Sequence, residues 1–380
     1  MKLFDVYPLY DVTPVRAVGS WLWDAGGRRY LDLYGGHAVI SIGHSHPHYV
    51  QRLQAQLGQI AFYSNAVQMP MQEELAERLG RLSGYEGHAL FLSNSGAEAN
   101  ENALKMASFH NGRSKVIAFA KSFHGRTSLA VALTDNAAAI APINRKADVV
   151  LLPLNDLEAI EREMDESVCA VLVEGIQGVG GVHVPTLAFL QKLRALCDRT
   201  AAVLILDEVQ SGYGRSGHFF AHQHGGVQAD IVTVAKGMGN GYPIAGTLIG
   251  PNFAAKHGML GTTFGGNYLA CAAGLAVLEV IEQEGLMQNA ATMGAYLIDQ
   301  LRTLPGVKEV RGQGLMVGIE LHQSSAPLRK RLLFEHGIFT GSSSEANTLR
   351  ILPALNLEKE QADMLLEALQ SELMVMDLSK

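Results

Sequence analysis

The chain has 380 residues, 48% of them hydrophobic and 18% charged, which excludes a disordered chain and allows two domains or one large domain with an appended lobe. A formal charge of −7 argues against nucleic acid and anionic membrane surfaces as partners. No run approaches the ~20 apolar residues of a membrane helix, and Asp5 and Pro8 interrupt the N-terminus before a signal-peptide core can form. Cys169, Cys197 and Cys271 lie in apolar segments without CxxC pairing, as buried thiols in a reducing compartment do, so the expected location is the cytoplasm.

In chain order, "SWLWDAGGRRYLDLYGG" reads as a hairpin within a first stretch of 50 residues that is too short to fold alone. From residue 88 on, apolar β-branched runs alternate with helix-like segments. "HALFLSNS" (88–95) leads into a helix over 96–110, then "KVIAFA" (115–120), "DVVLLPL" (148–154) and "CAVLVEG" (169–175). A helix over 187–198 precedes "AVLILDE" (202–208), "DIVTVAK" (230–236) and "IAGTLIG" (244–250). Strands this apolar on both faces predict an α/β fold whose mostly parallel sheet is covered by helices. One long helix is expected from Asn267 to about Leu304, then a short helix over 328–336 and an amphipathic one from Glu358. The expected organisation is a large domain over 51–270 and a small α+β domain built from 1–50 and 271–380.

Four places ask for chemistry. In "SNSGAEANENALK", Gly96 and Ala97 open a helix whose unpaired N–H groups suit a phosphate, although an ordinary capped helix looks the same. In "TVAKGMGNGYPIAG", Lys236 leaves a buried strand, where a desolvated amine acquires a lowered pKa and can form a Schiff base. In "ILDEVQSG", Asp207 ends another strand, placed to pair with a cationic ring nitrogen while Gln210 reaches a neighbouring oxygen. In "AKSFHGRT", Phe123 offers a stacking face and Arg126 a carboxylate-binding fork, with core packing the plainer reading of the phenylalanine. Together they supply what pyridoxal 5′-phosphate requires of a protein.

Two competing readings come from the same residues. Gly212, Gly214 and Gly217 spell the G-x-G-x-x-G of a nicotinamide-dependent oxidoreductase, but "HFFAHQHGGVQAD" after them lacks the helical period that motif needs. The "GHSHPH" histidines, His44, His46 and His48, lack matching cysteines or acids and read as a turn, so no metal is expected.

Taken with "GRRYLDLYGGHAVISIGHSHP" and "GTTFGGNYLAC", these motifs resemble the class III pyridoxal-phosphate aminotransferases of fold type I, in the acetylornithine/succinylornithine branch, over nearly the whole chain. The resemblance implies that Lys236 forms the Schiff base, Asp207 pairs with the ring nitrogen, Gln210 approaches the ring hydroxyl and Phe123 stacks. It places the phosphate on Gly96 and Ala97, and Thr263 on the phosphate of a neighbouring subunit's cofactor, hence a homodimer with shared active sites. Arg126 and Thr262 become substrate contacts, and Arg350 in "LRILPAL" binds the carboxylate of glutamate or 2-oxoglutarate. The implied reaction moves the terminal amine of N-acetylornithine or N-succinylornithine to 2-oxoglutarate in arginine biosynthesis; ornithine and 4-aminobutyrate aminotransferases are the alternatives. One position departs from the family pattern. Where relatives carry "EPIQGE" this chain has "EGIQGVGG", so Val179 stands in place of the glutamate that shields the equivalent of Arg350. Either that arginine stays open and favours a succinyl substrate, or another acid or solvent shields it.

Overall fold

A computed structural model describes residues 1–378. Seven strands form the central sheet: β1 (Ala89–Ser93), β2 (Lys115–Phe119), β3 (Val149–Leu152), β4 (Val168–Glu174), β5 (Val203–Asp207), β6 (Ile231–Val234) and β7 (Ala245–Ile249). Their order is β1-β7-β6-β5-β4-β2-β3. The pairs from β6 through β3 are parallel, while β7 runs antiparallel to both β6 and β1. Every residue of β4, β5, β6 and β7 is buried, because helices cover both faces and a strand in that position gains only from apolar side chains. The α/β class and the mostly parallel sheet are as the strand pattern predicts. This topology puts the ends of β4 and β5, and the β6–β7 connection, at one edge, where open α/β sheets form a crevice.

Both chain ends build on that edge. Pro14–Val18, Trp21–Asp24 and Arg29–Asp32 form an antiparallel meander that Ile338–Phe339 joins in parallel. Val307–Gln313, Met316–Leu321, Thr348–Ile351 and Gly341–Ser342 make a separate four-stranded sheet. The helix expected across 267–304 is two, Tyr268–Gln283 and Leu286–Leu301, because Gly285 takes φ +63° between them. A left-handed residue stops one helix and lets the next start at a new angle. The first of these is buried on all sides from Ala270 to Ile281, as a helix apolar all round must be. The later helices run Ala326–Phe334 and Lys359–Leu378. Among the described residues no helix is long and apolar enough to cross a membrane.

Candidate active site

A cavity of about 410 Å³ opens at the C-terminal ends of β4 and β5, against the β6–β7 connection. Its size suits a small cofactor with a substrate.

Lys236 rises into it two residues beyond β6. The residue has φ +47°, a left-handed conformation that L side chains adopt only when the surroundings force it. Here they do. Ser41 Oγ donates to the Gly237 carbonyl at 2.7 Å, Tyr49 OH to the Gly239 carbonyl at 2.7 Å, and Asn240 Oδ1 accepts from Ser41 N at 2.8 Å. The N-terminal segment thus clamps the lysine turn. Burial pulls the ammonium down to about 8, against the attraction of Asp207 and Glu174.

Asp207 ends β5 with its carboxylate buried and held by three donors. His124 Nδ1 lies 2.7 Å and Asn100 Nδ2 2.8 Å from Oδ2, and Val209 N donates to Oδ1 at 3.0 Å. Its neighbour Glu208 does different work: it accepts from Ser211 Oγ, Ala221 N and His222 N, which fastens the glycine loop behind the cavity. That loop is structural. A Cβ on Gly214 would lie 2.7 Å from Met287 and one on Gly217 3.0 Å from Ala291, while Arg215 is buried on the carbonyls of Leu315 and Pro353. A five-residue 3-10 turn (Ala221–Gly225) follows, not the α-helix that a dinucleotide pyrophosphate requires.

Gly96 and Ala97 begin a 16-residue helix, Gly96–Asn111, capped by Ser95, which accepts from Glu98 N at 3.2 Å. The glycine is required there, since a Cβ would lie 2.6 Å from Val209 Cγ1. Phe123 lines the cavity, its backbone N–H fixed on Glu174 Oε1 at 2.9 Å, and the exposed Arg126 guanidinium lies 5.4 Å from its ring centroid. Gln210 spans the far side, donating to the His37 carbonyl at 3.0 Å and accepting from Arg350 Nη1 at 3.3 Å.

Arg350 does not line the cavity; it stands behind Gln210, only 2% exposed, with Nε also donating to the Ser342 carbonyl. Burial lowers its pKa, and among the described residues it forms no ion pair with a carboxylate. Thr262 and Thr263 also lie outside the cavity. Thr262 Oγ1 adjoins it through Asn94 Nδ2 at 3.4 Å, whereas Thr263 is exposed beside Phe264, whose ring packs on Phe62 at 5.3 Å. His44, His46 and His48 turn to separate acids, Asp32, Glu284 and Glu279, and share no centre.

Three contributors escaped the sequence reading. Glu174 ends β4 as Asp207 ends β5, and that parallel was the available signal; burial raises its carboxyl above the usual range. Asn100 lies one turn beyond Gly96 on the same helix face. His124 sits inside "SFHGRT" between Phe123 and Arg126, but nothing local shows that its ring turns inward.

The residues present fit pyridoxal 5′-phosphate. A helix N-terminus suits its dianion, a phenylalanine face its ring, a buried carboxylate its ring-nitrogen proton, and the amine of Lys236 its carbonyl carbon. Comparisons with known proteins point the same way. The aminotransferase class-III family model matches residues 6–373. An acetylornithine aminotransferase of Nitrosomonas europaea is 41% identical, covering 95% of this chain and 94% of its own. One of Archaeoglobus fulgidus is 38% identical, covering 96% of each. Among solved structures, ornithine aminotransferase from Toxoplasma gondii ME49 superposes with a TM-score of 0.92 at 28% identity over 98% of this chain and 93% of its own. Acetylornithine aminotransferase from Elizabethkingia anophelis gives 0.84 at 29% identity over 97% and 95%. The chain belongs to the class III aminotransferases, enzymes that work with pyridoxal 5′-phosphate.

Proposed function

We propose that this aminotransferase moves the δ-amino group of N-acetylornithine, or of its N-succinyl analogue, to 2-oxoglutarate, giving the semialdehyde and glutamate, as a cytoplasmic homodimer serving arginine biosynthesis. The observation that carries the reading is the meeting of Lys236, Asp207, Phe123 and the Gly96 helix end around one cavity, in a chain whose curated relatives at 38–41% identity are acetylornithine aminotransferases. The exposed Thr263, beside the exposed aromatic pair Phe62 and Phe264, supports its service to a second subunit.

Bound pyridoxal phosphate supplies a conjugated electron sink beside the carbon that loses or gains the amine. This chain's residues do the rest. Gly96 and Ala97 would hold the phosphate on their backbone N–H groups, and Phe123 would stack on the ring. Asp207, fixed in place by His124, Asn100 and Val209 N, would pair with the ring nitrogen. Lys236 would hold the cofactor, and its amine would serve as the base that moves a proton at the reacting carbon. A pKa near 8 suits that work, since both protonation states are populated near neutrality. Arg126 at the mouth and Arg350 behind Gln210 orient substrate carboxylates. With valine at 179, Arg350 has no carboxylate partner among the described residues, and Gln210 stands between its guanidinium and the cavity.

A panel of N-acetylornithine, N-succinylornithine, ornithine and 4-aminobutyrate with 2-oxoglutarate, scored by glutamate formation, tests the reading. It predicts the highest kcat/KM for an N-acyl ornithine. A clear preference for free ornithine would transfer the chain to the activity named for its Toxoplasma structural neighbour.

A further inference from the structure

Arg350 lies on a hairpin of two short strands in which Gly341 faces Arg350 and Ser342 faces Leu349. The opposite arm also supplies the Ser342 carbonyl that holds its Nε. With no carboxylate partner among the described residues, the placement of this guanidinium depends on the hairpin and on Gln210. The turn joining the two arms, residues 343–347, carries Glu345, and this one carboxylate collects partners from three other segments. Lys121 Nζ comes from the stretch leading to Phe123 and donates to Oε1. His183 Nε2 lies 3.2 Å from the same oxygen, at the end of the loop that contains Val179. Arg311 Nη2, from the outer strand of the same sheet that contains the hairpin, donates to Oε2 at 3.0 Å and also to the Gly181 carbonyl at 3.1 Å.

Backbone contacts tighten the same junction. Ser344 N donates to the Val179 carbonyl at 2.9 Å, and Thr348 N to the Glu345 carbonyl at 3.0 Å. There is no slack: a Cβ on Gly181 would lie 2.5 Å from Glu345 Oε2, and one on Gly180 2.4 Å from the Lys121 carbonyl. The glutamate side chain is 26% exposed, so its pairs are shielded from water more than a surface pair is but are not sealed.

We propose that Glu345 is a positioning residue for carboxylate binding: through Lys121 and His183 it fastens the Arg350 hairpin to the two segments that bring Phe123 and Val179 to the cavity, with Arg311 bracing it from the hairpin's own sheet, and so it sets the affinity of the Arg350 site for dicarboxylates. The proposal rests on the reading of Arg350 as the carboxylate-binding group. Glu345 touches no substrate; it acts by keeping Arg350 and the Val179 wall in register. A carboxylate there concentrates three attractive contacts on the tip of a short hairpin, and its amide isostere keeps the shape while dropping the charge.

The test measures binding of glutarate, a five-carbon dicarboxylate that cannot be transaminated, to the cofactor-loaded protein by titration calorimetry. Glu345→Gln is expected to weaken glutarate about tenfold, the cost of a small misplacement of one anchoring group, while the affinity for pyridoxal phosphate and the melting temperature stay close to wild type. Glu345→Asp, which keeps the charge, is expected to recover most of the affinity. Arg350→Lys serves as the reference and is expected to weaken glutarate at least as much. Wild-type glutarate affinity in Glu345→Gln alongside a loss in Arg350→Lys would overturn the proposal and leave the reading of Arg350 intact. Wild-type affinity in both variants would overturn the two together. Equal losses of glutarate and cofactor affinity in Glu345→Gln would also overturn it, by showing a general structural role.

Discussion

Asp207→Asn removes the charge of the ring partner while keeping its volume, and the structure fixes what that costs. Oδ2 receives His124 Nδ1 at 2.7 Å and Asn100 Nδ2 at 2.8 Å, and Oδ1 receives Val209 N at 3.0 Å. All three partners arrive as donors, so the new carboxamide NH2 must confront at least one of them. Facing Val209 it sets N–H against N–H; facing the other way it confronts the Asn100 Nδ2 donor. Asn100 cannot turn to help without setting its Oδ1 against the His124 carbonyl, to which its Nδ2 now donates at 2.8 Å. One unmet buried donor costs about 1–3 kcal/mol, and the folded protein should lose about that much stability. The larger loss falls on the reaction. Losing a buried charge partner costs about 3–5 kcal/mol, or about two to four orders of magnitude in the proton-transfer step. A single-turnover reaction of the cofactor-loaded variant with the amine donor, followed by absorbance, reads that step apart from cofactor affinity. A rate within tenfold of wild type at full cofactor occupancy would refute Asp207 as the ring-nitrogen partner.

Other expectations concern the lysine, the phosphate cradle and the helix break. Capture of pyridoxal phosphate by the cofactor-free protein needs a neutral Lys236; with its pKa pulled from 10.5 to about 8, the capture rate should rise with pH and level off above about 8. The neutral fraction at pH 7 is then roughly 300-fold that of an ordinary lysine, and a rate still climbing at pH 10 would contradict the burial account. Gly96→Ala brings a methyl to 2.6 Å from Val209 Cγ1 and should weaken cofactor binding, with Val209→Ala in the same chain restoring much of it; absence of rescue would place the defect elsewhere. Gly285→Ala meets no atom within 4 Å, yet forces a side chain to φ +63°, so denaturant unfolding should show a loss of about 1–2 kcal/mol with turnover unchanged.

The central strands could be placed from sequence because both their faces are buried, so β4 and β5 read as unbroken apolar runs with a carboxylate at the end. Lys236 and Gly96 were visible for a related reason: each follows a strand, and a lysine or glycine there has few structural uses, whereas Phe123 alone reads equally as core packing. The break at Gly285 was missed although the glycine was in view, because apolar residues continue on both sides and periodicity cannot register a change of axis. The pairing partners were harder. His124 and Asn100 reach Asp207 from 83 and 107 residues away, and no local pattern encodes which way a ring turns. Val179 could be flagged as a departure, but what surrounds Arg350 in its place depends on a hairpin closed by Glu345, a contact made only in three dimensions.

Borohydride reduction of the pyridoxal-phosphate-loaded protein, followed by peptide mapping with mass spectrometry, tests most directly the claim that this cavity is the aminotransferase centre. One phosphopyridoxyl group per chain is expected, on the peptide that contains Lys236, and none after Lys236→Ala. Attachment at another lysine, or unchanged labelling of the Lys236→Ala variant, would contradict it.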